Sequence, residues 1–139
     1  MQQNYPKKDI HLIPVYKRIL KMSKGKKEKE RNFEEKIRFV QDTHFVIGGK
    51  WKLPIIISIY HGHKRFNEIL QSIPKITNRV LSKELKHLEE NLLISRKVYD
   101  EYPARIEYTL TDYCHSVREV LEAMEKWGEQ HRERIKAKI

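Results

Sequence analysis

The chain has almost no cysteine: Cys114 stands alone among 139 residues. That excludes an intramolecular disulfide framework and the small secreted folds that depend on one. Glycine and proline are scarce, at five residues each, which excludes collagen-like and low-complexity chains and suits a compact, largely helical one. No secretory apolar region is apparent, and the densest apolar run, over 53–60, is far shorter than the roughly 20 residues a bilayer span takes. The expected compartment is the cytoplasm, with no membrane partner. No Gly-rich phosphate loop and no nucleophile elbow is present, so no enzyme is expected. His44, His61, His63, His87, His115 and His131 lack any Cys/His/carboxylate spacing for zinc, so neither a metal nor a cofactor is expected. Acidic residues are also in deficit.

That deficit gives a formal net charge of +10, from 29 Lys and Arg against 19 Asp and Glu, and a pI near 9.7. An excess of this size favours a polyanion: DNA, RNA or an acidic membrane surface. A solvated cationic surface accounts for the charge alone equally well. A length of 139 residues fits one domain with a modest core.

Residues 1–32 read as a basic, partly helical extension in which Ile10, Ile13, Ile19 and Leu20 fall partly on one face. Residues 23–31 read as a solvated hinge. Phe33, Ile37, Val40 and His44 keep helical spacing and predict a helix over about 33–46, stopped by Gly48-Gly49, where glycine takes a left-handed conformation at no steric cost. The run Trp51 to Tyr60 is ambiguous. Its isoleucines favour a strand, whereas an all-round apolar helix would be central and buried.

Residues 65–73 predict a short helix with Phe66, Ile69, Leu70 and Ile73 inward. A tight turn at 74–76 follows, then Thr77 as the N-cap of a second helix. Leu81, Leu85, Leu88 and Leu92 must face inward, leaving Asn78, Arg79, Ser82, Lys83 and Lys86 together on the other side. Asn91 is the expected left-handed end of that helix. Two alternating stretches, 93–99 and 105–110, predict a hairpin. Thr111 is the expected cap of a last helix carrying Val117, Val120, Leu121, Met124 and Trp127 on one face.

Short helix, turn, second helix with a basic face, then hairpin is the order of a winged helix-turn-helix. The fold class is therefore mainly α with a small β-hairpin wing, over residues 33–111. Residues 112–139 form a C-terminal helix whose apolar stripe marks a dimer interface. The expected partner is double-stranded DNA. Candidate contacts are Arg65, Thr77, Asn78, Arg79, Ser82, Lys83 and Lys86, with Arg96, Tyr102 and Arg105 from the wing. Non-specific or architectural nucleic-acid binding, and a winged-helix protein-interaction module, are the alternatives.

The ordered set Ile47-Gly48-Gly49-Lys50-Trp51, Arg65-Phe66-Asn67-Glu68-Ile69, Ile76-Thr77-Asn78-Arg79-Val80-Leu81 and Tyr102-Pro103-Ala104-Arg105 resembles the HxlR-type family of prokaryotic winged-helix transcriptional regulators. The similarity covers about residues 38–130. The resemblance implies a homodimer built through terminal helices, here Ile13 and Leu20 with Val117, Val120, Leu121, Met124 and Trp127, on a pseudo-palindromic operator. It implies that 52–60 is helical, with Gly48-Gly49 letting Trp51 and that helix pack closely beneath the helix-turn-helix. It leaves open a small-molecule effector at the dimer seam, lined by aromatics such as Tyr60 and Trp127. Three departures stand out. The upstream sensing cysteine of many members is replaced near Arg38, and Cys114 and Asn91 stand where glycines are usual. The third departure is the basic extension, which is longer than the family core needs.

Overall fold

The structure, a computed structural model, describes residues 32–139. The helix and hinge expected in the basic extension, and Ile13 and Leu20, lie outside the described residues. Contacts divide the chain into two units, Met1–Gly49 and Lys50–Ile139.

In the first unit, helix α1 spans Phe33–Ile47. Asn32 caps it, its side-chain oxygen accepting the Glu35 N–H at 2.9 Å, and Glu34 and Glu35 suit the positive end of the helix dipole. Phe33, Val40 and Phe45 on this helix are exposed. The helix stops where the glycines require. Gly49 has φ +89°, and a Cβ on Gly48 would collide with the His44 carbonyl oxygen. Nothing lies within 4 Å of where a Gly49 Cβ would be, so its need for glycine is conformational.

The second unit begins with α2, Lys52–Tyr60, which resolves the ambiguous run as helix. Leu53, Ile55, Ile56 and Ile59 are buried, as expected of a central helix apolar nearly all round. Its one buried polar residue is Ser58, whose hydroxyl meets Ser72 Oγ at 2.6 Å. Ser72 itself donates to the Ile69 carbonyl, so Ser58 donates to Ser72 and no buried hydroxyl is left unmatched. Helix α3, Phe66–Ser72, packs Ile69 into the core, and the turn after it carries Lys75 at φ +67°.

Helix α4, Asn78–Glu90, begins at Thr77, whose hydroxyl accepts the Val80 N–H at 3.3 Å. Leu81, Leu85 and Leu88 are almost wholly buried, each contributing roughly 2 kcal/mol through lost apolar surface. Leu92 does not continue this row. It is the left-handed residue that ends the helix, at φ +63°, while Asn91 is right-handed at φ −92°. Two hydrogen bonds, Leu92 N–H to Glu89 O and Leu93 N–H to Leu88 O, close the end as a Schellman motif. Asn91 contributes its side chain instead, donating to the His87 carbonyl at 2.8 Å.

His87 lies half-buried on this helix, and burial, helped by the Lys52 charge, holds its pKa below the ordinary histidine value of 6.5. Protonation therefore favours the unfolded chain. The stability that His87 adds is complete above about pH 6.5 and falls as the pH drops below it. The melting temperature should fall between pH 7.5 and 5.5 by less in His87→Gln than in the wild type, as differential scanning fluorimetry would show.

Strands β1, Ile94–Tyr99, and β2, Arg105–Leu110, form an antiparallel pair in register from Ile94↔Leu110 to Tyr99↔Arg105. Tyr108 N–H donates to the Lys64 carbonyl at 2.8 Å, which anchors β2 to the segment before α3. Thr111 ties the hairpin to the end of α4, its hydroxyl donating to the Leu92 carbonyl at 2.6 Å. The same hydroxyl accepts the Cys114 N–H, as a cap should, but what it opens is a 3₁₀ turn, Tyr113–Val117. The i→i+3 bonds of Cys114 and His115 tighten this first turn. The last α-helix, α5, starts later than expected and spans Arg118–Lys136. No residue of α5 is buried.

Candidate nucleic-acid interface

At 100° per residue, Asn78, Ser82, Lys86, Arg79 and Lys83 occupy an arc of roughly 140° on α4, separate from the roughly 60° arc of the three buried leucines. All five are exposed. Arg79 and Lys83 have no ion-pair partner among the described residues, while Lys86 makes only a 3.9 Å contact with Glu90, both ends exposed. Such a contact is worth little and leaves Lys86 available. Thr77 is exposed at the N-cap, where its hydroxyl is already engaged by Val80.

Besides its buried leucines, this helix is tied to α2 by an ion pair that the sequence alone did not point to. Lys52 Nζ on α2 lies 3.0 Å from Glu84 Oε2 on α4, both side chains mostly shielded from water. The only signal for it was an acidic residue at the junction of the apolar and basic faces of α4.

Arg65 is exposed at the N-cap of α3, where the Glu68 carboxylate accepts its backbone N–H at 3.0 Å and that of Lys64 at 2.8 Å. Those bonds hold the Glu68 pKa below its ordinary value. In the wing, Arg96 and Tyr102 are exposed, Tyr102 fully so at the tip. Arg105 is differently placed. It pairs with Glu101 at 2.9 Å and Glu107 at 3.5 Å, and its guanidinium lies 4.0 Å from the Tyr99 ring centroid. Arg105 thus braces the hairpin. Lys97, which sequence reasoning passed over, places its Nζ 4.7 Å from the Tyr99 ring centroid and is exposed on the wing. Lys75 in the turn between α3 and α4 was also missed, though a basic residue between two such helices was a usable signal.

The residues named for a dimer contact divide into two sets. Val120, Met124 and Trp127 are exposed, Trp127 at 65%, with its ring stacked on His131 at 5.0 Å. Val117 and Leu121 are half-buried against their own domain. Among the described residues, no group of three or more His, Cys, Asp or Glu is placed to hold a metal ion, and no helix is long and apolar enough to cross a membrane.

Cys114 is buried, and burial pushes its thiol pKa up to about 11. Only about one thiol in ten thousand is then ionised at neutral pH, and the thiolate is the reactive form. Diamide or peroxide treatment should leave DNA affinity unchanged in both wild type and Cys114→Ser, to within about twofold. Reversible loss in the wild type alone, measured by fluorescence anisotropy, would place a sensing thiol at this position.

Comparison with known proteins gives a consistent answer. A family model described as HxlR-like helix-turn-helix matches residues 46–136. The HTH-type transcriptional regulator YdeP of Bacillus subtilis (strain 168) is 41% identical over 96 residues, which is 69% of this chain and 75% of YdeP. YodB, an HTH-type transcriptional regulator of the same organism, is 36% identical, over 66% of this chain and 81% of its own. The solved structure of the redox regulator HypR in its reduced form superposes with a TM-score of 0.65 at 37% identity, covering 70% of this chain and 97% of HypR. The chain belongs to the HxlR-like helix-turn-helix family of transcriptional regulators, and its α3–α4–hairpin unit is the winged helix-turn-helix of that family.

Proposed function

We propose that the protein is a sequence-specific regulator that binds a pseudo-palindromic operator as a homodimer. The observation that carries this reading is the α4 face, where Asn78, Arg79, Ser82 and Lys83 are exposed together and the two cations lack ion-pair partners among the described residues. Asparagine and arginine are the side chains suited to bidentate contacts with adenine and guanine edges in the major groove. Lys83 and Lys86, with Arg65 or Arg96, act as the phosphate contacts, and the wing tip at Tyr102 reaches the adjacent backbone or minor groove. Arg105 and Thr77 act by positioning, since their polar groups are already committed within the fold.

Homodimerisation is supported by the exposed row Val120, Met124 and Trp127 on α5 and by the exposed apolar residues of α1, Phe33 and Val40 among them. A twofold dimer reads two inverted half-sites, about one helical turn apart.

The test is a selection of bound sequences from random DNA, followed by binding of single-base variants of the recovered site. Arg79→Ala should cost about 1–3 kcal/mol and relax base preference at one position per half-site. Equal weakening on every sequence would make Arg79 a phosphate contact. Failure to enrich any motif would favour non-specific or architectural binding.

A further inference from the structure

Away from the α4 face, α2, the end of β2, the 3₁₀ turn and the start of α5 enclose a cavity of about 190 Å³. All of its walls belong to the second unit. Its floor is apolar, formed by Ile56, Leu110, Cys114 and Leu121. An apolar cavity of about 150 Å³ holds one benzene ring, so this one has room for a single ring and a short substituent.

The rim fixes the chemistry of that substituent. Tyr60, Arg118, Glu122 and Glu125 stand around the opening, with His61 and His115 also on the lining. Arg118 is already engaged, its Nε 3.2 Å from Glu122 Oε1 and its terminal nitrogen donating to the Tyr60 hydroxyl at 3.4 Å. Glu125 has no ion-pair partner among the described residues, and it leaves the rim with one carboxylate more than it has fixed cations. A carboxylate ligand would have to take Arg118 from Glu122 and lie near Glu125, where like charges repel. A ligand with an ammonium group meets Glu125 directly while its ring lies on the apolar floor.

We propose that this cavity binds a small primary ammonium carried on a single aromatic ring. The site needs no DNA for its readout, so it stands or falls independently of operator binding.

The experiment is calorimetric titration of the full chain at neutral pH with three ligands of matched shape: 2-phenylethylammonium, 2-phenylethanol and phenylacetate. For a ligand of about nine non-hydrogen atoms, the ammonium should bind with a Kd of about 0.1–1 mM. The alcohol should bind about tenfold more weakly, and phenylacetate more weakly still. Glu125→Gln, a change on the protein surface, should bring the ammonium down to the affinity of the alcohol and leave the alcohol unchanged. Leu121→Phe fills the floor and should abolish binding of both. If that variant does not fold, Glu125→Gln decides alone. The proposal is overturned if phenylacetate binds as tightly as the ammonium, if Glu125→Gln leaves ammonium binding intact, or if no saturation is seen by about 10 mM.

Discussion

Raising the salt from 50 to 200 mM should weaken operator binding about a thousandfold. The estimate follows from counterion release, in which each neutralised phosphate contributes about −0.9 to the slope of log affinity against log salt. Two protomers that each place Lys83, Lys86 and one wing or α3 cation on the backbone neutralise about six phosphates, giving a slope near −5. A fourfold rise in salt then costs about three orders of magnitude. Lys83→Ala removes one such contact from each protomer, and the slope should fall to about −3.6, which reduces the loss over the same range to about 150-fold. Fluorescence anisotropy across a salt series measures both slopes. A flat slope with a specific operator would overturn the assignment of these lysines. The contrast with Arg79→Ala is informative, since loss of a base contact changes sequence preference and loss of a phosphate contact changes the slope.

The helix-turn-helix and wing were legible in the sequence because independent local signals agreed there. For α4, the Thr77 cap, the spacing of Leu81, Leu85 and Leu88 and the basic opposite face all specify one helix in one orientation. The hairpin was equally plain, since two alternating stretches bracket the residues 100–104. The run Leu53 to Tyr60 was not legible from periodicity, because a segment apolar on every side has no period to detect. Only the order of the surrounding motifs decided it. The end of α4 shows a different limit. Asparagine tolerates a left-handed backbone better than leucine does, yet Leu92 takes that conformation. Leu93 is thereby buried beside Leu88, and tertiary packing outweighs the local preference.

The candidate site divides along the same line. Which α4 residues face outward follows from helical spacing alone, so Asn78 to Lys86 could be named in advance. Which wing cations are free does not follow from spacing. The engagement of Arg105 depends on strand register, which sets it opposite Tyr99 and two residues from Glu107 on the same face. The Lys52–Glu84 pair and the cavity beside Tyr60 bring together residues far apart in sequence, and no window on the chain contains their partners. Only the folded chain brings them together.

Trp127→Ala should convert the proposed dimer to monomer at micromolar concentration and reduce operator affinity about 30- to 1,000-fold, while leaving the melting temperature of the protomer nearly unchanged. These effects separate because of where the side chain lies. Within one protomer Trp127 is 65% exposed and touches chiefly His131, so the fold gains little from it. In a dimer sealed by the Val120, Met124 and Trp127 row, the indole would be the largest apolar group buried. Truncation of a central interface aromatic costs about 2–4 kcal/mol, or roughly 30- to 1,000-fold in dimer dissociation. A monomer engages only one half-site, so the loss passes through to DNA. Analytical ultracentrifugation, circular-dichroism melting and operator titration on the same sample distinguish the outcomes. A variant that stays dimeric would remove α5 from the interface and leave the exposed residues of α1 to explain assembly. A large drop in melting temperature with the dimer intact would instead make Trp127 part of the protomer fold, against its exposure in the structure.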